Sequence, residues 1–269
     1  MRTLIKTGFT LLVLAFVLIS AVYAAFRVHG INAPANAEGR IVVSEQRPIT
    51  RDVTNIELTG PISMTVRRGD TPALTVRAEQ RLLSNIATDQ EGSSMRIGVS
   101  GMLLYHRSRI EVELVVPALE QLEVSGSGNH NVNGFGGERI EIIKHGSGKL
   151  VFNGRFRELV ASAYDSGAAE INAGTPEKVS LEMIGSGKVT VVGSCRTLRA
   201  EHTGSGELDA QHLAADDVVL EQNGSGRATV FARNSAVLTL SGSGDVEVHG
   251  NPDQRTVSRN GSGDARFRD

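Results

Sequence analysis

The sequence predicts an all-β protein, a right-handed parallel β-helix (a β-solenoid) with Gly-Ser-Gly rungs of about 19 residues and an irregular N-terminal β cap. Three observations predict it. A Gly-Ser-Gly tripeptide returns at a fixed period, apolar residues alternate on both sides of it, and the composition is poor in aromatics (4%) with 30 glycines and no Trp. The first residue of the tripeptide falls at 126, 146, 165, 185, 204, 224, 242 and 261, so every interval is 18 to 20 residues. A flexible linker keeps no such period. One copy, "AYDSGAAEI", is degenerate and carries Asp165 in the first position.

In chain order, residues 1–24 read as an export signal or an N-terminal anchor. Arg2 and Lys6 form a positive start, and no further charge appears until Arg27. Val22-Tyr23-Ala24 suits signal cleavage, while the uncharged stretch of 20 residues is also long enough to span a bilayer. Both readings place the rest of the chain outside the cytoplasm, in the periplasm or at the cell surface. The single cysteine, Cys195, cannot form an internal disulfide. It reads as a small hydrophobe, with a reactive thiol or an intermolecular bridge as the alternative. Residues 25–44 are rich in Ala, Asn and Gly and read as a linker.

Residues 45–118 alternate like strands in "NIELTGPISMTVRRGD", "ALTVRAEQ", "SMRIGVSG" and "SRIEVELVVP", with turns at Gly60-Pro61 and Arg68-Gly69-Asp70. They are expected to form irregular first rungs that cap the N-terminal end. "AEQRLLSNIAT" reads as a short helical turn or a loop.

Residues 119–269 are the regular repeats. Four and six residues after the first position stand pairs such as Leu150/Phe152, Val189/Val191, Ala228/Val230 and Val246/Val248. Only His130 breaks that apolar rule. Intervening positions are mostly polar, so this is a strand with one buried face. Four residues before the tripeptide come Leu122, Ile142, Ala161, Leu181, Ala200, Leu220, Leu238 and Val257, which mark a second strand. A two-stranded unit this small cannot bury its own face. Stacking in parallel register solves that, and parallel crossovers favour a right-handed path. Seven steps at about 4.8 Å give a rod of roughly 34 Å.

The tripeptide is then the corner of each rung, where glycine permits dihedrals that a β-carbon forbids. The second glycines are Gly128, Gly148, Gly167, Gly187, Gly206, Gly226, Gly244 and Gly263. The serines Ser127, Ser147, Ser166, Ser186, Ser205, Ser225, Ser243 and Ser262 are expected to stack as a structural ladder along one edge, their hydroxyls bonding one another and the corner backbone.

With these residues in place, the chain resembles a bacterial family called the putative autotransporter adhesin head GIN domain. The resemblance runs over residues 48–264. It rests on the strand-rich lead, on the "P-x-L-x-x-L-x-V-x-G-S-G" junction at Pro117–Gly128, and on the serial Gly-Ser-Gly copies. It implies an exported β-helix with an adhesin-like role, and it brings no catalytic residues to carry over. Only six residues follow Gly263, so a membrane β-barrel of the autotransporter kind is not expected in this chain.

Other chemistry is not expected. The tripeptide does not lead into a helix, so phosphate-loop readings fail on context, and no G-x-S-x-G elbow exists. His29, His106, His130, His145, His202, His212 and His249 share no column of the repeat and read as surface or locally satisfied residues, so no metal site follows. Asp245 and Asp264 are too isolated for a calcium β-roll. A net charge of −2 with no basic stripe argues against nucleic acid.

The reading is an exported, non-enzymatic binding or scaffold protein of the cell envelope. It takes no cofactor, meets a membrane only through its N-terminal segment, and contacts a protein or glycan partner through polar positions three and five residues after each corner. The alternative is an envelope polysaccharide-modifying enzyme, for which Asp209, Asp245 and Glu247 are the candidate carboxylates. The register is testable: Val191 and Leu220 face inward, so Val191→Asp should collapse the solenoid and Thr190→Asp should be tolerated.

Overall fold

The computed structural model describes residues 37–101 and 108–268. The export segment, most of the linker, His29 and His106 lie outside the described residues. A 3-10 turn at Ala37–Arg40 precedes the solenoid unit, which starts at Val42. The fold is nearly all-β, a parallel solenoid of about seven turns.

The N-terminal strands are β1 (Val42–Arg47), β2 (Asn55–Thr59), β3 (Ile62–Arg68), β4 (Ala73–Glu79), β5 (Ile86–Glu91), β6 (Ser94–Val99) and β7 (Ile110–Val116). The pair β2–β3, hinged at Gly60-Pro61, is a true rung. It stacks on the first Gly-Ser-Gly turn with Ile56 opposite Leu122, Leu58 opposite Val124 and Val66 opposite Val132. Strands β6 and β7 pair in parallel on its other side. Rung order therefore departs from chain order: after β3 the chain builds the end of the rod, then crosses back to begin the repeats.

That end is closed by antiparallel strands, β4 on β7, β1 on β4 and β5 on β6. The expected cap is thus one in-register rung, one out-of-order rung and an antiparallel cover. The ambiguous "AEQRLLSNIAT" becomes a 3-10 turn at Gln80–Asn85, with Leu82 and Leu83 buried, followed by β5. Buried Glu79 ties this region together. It accepts from Arg81 at 2.8 Å and from the Ser108 backbone N–H at 3.1 Å.

The repeats form β8 (Gln121–Ser125), β9 (Asn129–His145), β10 (Lys149–Asp165), β11 (Ala168–Gly174), β12 (Lys178–Gly185), β13 (Lys188–Gly204), β14 (Glu207–Gly224), β15 (Arg227–Gly242), β16 (Asp245–His249), β17 (Gln254–Gly261) and β18 (Ala265–Arg268). Each rung turns sharply at the tripeptide and bends more gently on the opposite side. There the register slips locally, as between Asn153 and Gly154 or Thr190 and Val192.

Equivalent positions pair directly. Leu150, Ala169, Val189, Leu208, Ala228 and Val246 form one inward column. Leu122, Ile142, Ala161, Leu181, Ala200, Leu220 and Leu238 form the facing one, and both columns are buried. Each full aliphatic burial contributes about 1.5–3 kcal/mol, and every inner strand edge is paired by its neighbours. Val257 continues the second column but is 37% exposed, because no further described rung covers it.

Candidate functional site

The Gly-Ser-Gly edge is the most regular surface of the rod. Its two glycines are needed for different reasons. The first adopts positive φ, for example 127° at Gly204 and 120° at Gly224. The second is required by close approach: a β-carbon on Gly226 would sit 2.6 Å from the Gly206 carbonyl oxygen and 2.5 Å from the His202 ring. Rungs at this corner are stitched through backbone. The Gly204 carbonyl accepts from both the Ser225 and Gly226 N–H groups at 3.0 Å, and the Gly224 carbonyl does the same for Ser243 and Gly244 at 3.0 and 2.9 Å. All eight serine side chains are exposed. The hydrogen-bond ladder at the corner is therefore carried by main chain, with the hydroxyls displayed to solvent.

A shallow groove of about 650 Å³ runs along this edge from Asn129 to Arg227 and is lined by Ser147, Ser166, Ser186, Ser205 and Ser225. It also takes in the residues three positions after the corner, where Lys149, Lys188 and Arg227 fall on alternate rungs. Lys149 pairs with Glu170 at 2.6 Å and Lys188 with Glu207 at 2.9 Å. The Glu207 carboxylate raises the Lys188 pKa by accepting its hydrogen bond. Such exposed pairs are worth only about 0–1 kcal/mol, so a ligand could displace them. The serines and the outward polar positions, separate in the sequence, are thus one surface.

Beneath this edge lies a polar row that periodicity did not single out. Two residues before the corner, Lys144, His202 and Gln222 point inward and are buried. The Lys144 Nζ donates to the Gly146 carbonyl at 2.8 Å, and His202 Nδ1 lies 2.8 Å from Gln222 Oε1. His202 Nε2 and the Gln222 amide nitrogen lack protein partners. The signal was present, since all three occupy one slot of the repeat. His130 is buried as well, in the column of Leu150, and its Nδ1 has no protein partner. Burial, reinforced by the Lys144 charge, pushes its pKa down to about 4. Strand alternation carries both side chains inside, so the expectation of surface or locally satisfied histidines fails at His130, whose Nδ1 has no protein partner, and holds only in part at His202, which is bonded at Nδ1 and not at Nε2.

The remaining candidates do not converge. Asp209 and Glu247 are separated by Thr229 in the ladder, and Glu247 is held by His249 at 3.3 Å and Arg268 at 2.6 Å. The Asp264 backbone N–H donates to Asp245, and Asp264 pairs with Arg259 and Arg266. Among the described residues no group of three or more His, Cys, Asp or Glu side chains could hold a metal. On the other outward face the His145 and Tyr164 rings stack at 4.8 Å, and the Tyr164 hydroxyl donates to Glu182 at 2.8 Å. Cys195 is buried in β13, and burial pushes its thiol up to about 12, so it is unreactive at neutral pH.

A family model described as putative auto-transporter adhesin, head GIN domain, matches residues 52–252. The chain belongs to this family. Its head GIN fold is shared with a putative adhesin from Parabacteroides merdae, at 18% identity and a TM-score of 0.78, covering 86% of this chain and 97% of that one. A putative adhesin from Parabacteroides distasonis gives 18% identity and 0.77, covering 85% and 98%. A putative lipid binding protein from the same species gives 19% identity and 0.73, covering 86% and 98%. At these identities the likeness is one of fold. No curated protein matches the chain.

Proposed function

We propose that this head GIN protein is an exported, non-enzymatic, adhesin-like binding protein of the cell envelope. The observation that carries the reading is the shallow polar groove lined by the serines of five successive corners, four Gly-Ser-Gly and the degenerate Asp165-Ser166-Gly167. Its chemistry is repeated, exposed and spread along the rod, which suits extended contact with a long partner. An active site instead gathers unlike groups around one reacting atom. Family membership and the adhesin names of the structural relatives support the same reading.

The test is a binding and turnover experiment on envelope material. Fluorescent protein, expressed from Ala25 onward, should bind isolated envelopes or intact cells saturably, with no release of soluble saccharide over hours. Saccharide release without saturable binding would favour the enzyme reading. Cleavage of the native protein by added protease on intact cells, with mass analysis of its N-terminus, tests export and the fate of the first 24 residues.

A further inference from the structure

The bend opposite the Gly-Ser-Gly edge holds a second groove, of about 560 Å³. This is within the usual range for small-ligand sites. It is lined by Arg68, Phe135, Asn153, Arg155, Asn172 and four glycines, and no carboxylate is among its lining residues. Arg68 and Arg155 are both exposed, and neither makes an ion pair among the described residues. Their sequence neighbours differ: Arg67 pairs with Glu113 at 3.8 Å and Arg157 with Glu177 at 3.2 Å. Two cations have thus been left unneutralised in one concavity, on a rod whose outward charges are mostly matched.

The rungs set them two steps apart. Arg68 ends β3, the next rung contributes Gly134 and Gly136, and the rung after that contributes Arg155. The two backbones are therefore about 10 Å apart along the axis, at two strand spacings. The glycines between them put no side chain into the gap. A β-carbon on Gly134 would lie 3.7 Å from the Arg68 β-carbon, and one on Gly174, from the following rung, would lie 3.3 Å from the Arg155 stem. The amides add hydroxyl-binding chemistry at the rim. Asn153 donates to Asn133 at 2.6 Å, and Asn172 accepts from the Gly174 N–H at 3.2 Å. The Asn153 carbonyl and the Asn172 amino group remain for a ligand.

We propose that this groove binds an acidic saccharide, with Arg68 and Arg155 clamping its carboxylate or sulfate and the amides meeting neighbouring hydroxyls. Guanidinium suits this task because its planar fork matches an oxyanion with two donors. The proposal rests on the binding-protein reading above and names a ligand class for it.

The experiment measures binding of the folded chain to three soluble probes by calorimetry: polygalacturonate for carboxylate, dextran sulfate for sulfate, and neutral dextran. At least one acidic polymer should bind and dextran should not, with affinity falling as salt rises. Arg68→Ala combined with Arg155→Ala should weaken binding by roughly tenfold or more. Arg199→Ala, which removes an exposed cation that lines neither groove, should change it by no more than about twofold. Unchanged melting temperatures would confirm that both variants fold. Equal binding of dextran, no binding of either acidic polymer, or full affinity in the double variant would each overturn the inference. Saturable envelope binding in those cases would leave the adhesin-like reading standing, whereas its loss would remove both.

Discussion

The guanidinium of Arg255 lies 4.7 Å from the centroid of the Phe267 ring, and this pair covers the last described rung. Arg255 and Arg259 are in register with Ala236 and Leu240, so arginines stand where the preceding rung places buried apolar side chains. The stem of an arginine can lie on apolar surface while its head stays in water. The Arg255 Nε also donates to the Pro252 carbonyl at 2.9 Å. Charge on an open edge discourages another strand from pairing there.

Arg255→Ala should loosen this end locally, losing a cation–π contact of about 0.5–2 kcal/mol. Hydrogen exchange should speed up in β17 and β18 and stay unchanged in β13 and β14. Uniform exchange along the rod would show that the pair does not govern the terminus.

The corner makes a sharper prediction. Gly226→Ala places a methyl against the Gly206 carbonyl and the His202 ring, and nothing there can move without shifting a rung. A loss of about 2 kcal/mol or more is expected in urea melts. Ser225→Ala, on an exposed hydroxyl of the same corner, should stay within about 0.5 kcal/mol. A large effect of the serine would restore the hydroxyl ladder as the main stabiliser.

Val191 is fully buried, so Val191→Asp should abolish cooperative folding. The neighbouring outward position tolerates an acid less well than alternation alone implies. Thr190 is in register with Glu170 on one side and Asp209 on the other, so Thr190→Asp would stack three carboxylates. It should cost about 0.2–1 kcal/mol, and Thr190→Lys should be neutral or stabilising. Equal melting temperatures for the Asp and Lys variants would remove the electrostatic argument.

Acid should destabilise the fold through His130. Its pKa is lowered from 6.5 to about 4, so between those values the unfolded chain binds a proton that the folded chain does not. Stability is then full above pH 6.5 and falls as pH drops toward 4, by roughly 3 kcal/mol. His202, lowered by burial, acts in the same direction. His130→Leu should flatten the profile of stability against pH between those limits. A slope unchanged in that variant would assign the effect elsewhere.

By itself the sequence determined the solenoid, its register and its buried columns, because a strand's side chains alternate strictly and the corner glycines recur at one period. Leu150, Val189 and Leu220 were readable as interior for that reason alone. The order of rungs at the N-terminal end was not readable. Stacking β6 and β7 outside β2 and β3 depends on contacts between strands that no local pattern encodes. Alternation places His130, Lys144 and His202 inside, but it could not say what meets them there, since Gln222, the partner of His202, comes from another rung. The candidate sites follow the same division. The sequence named the serines and the outward polar positions, and the stacking of rungs joined them into one groove. The arginine groove was set by tertiary structure alone, because Arg68 and Arg155 stand 87 residues apart in the chain and only two rungs apart in the rod.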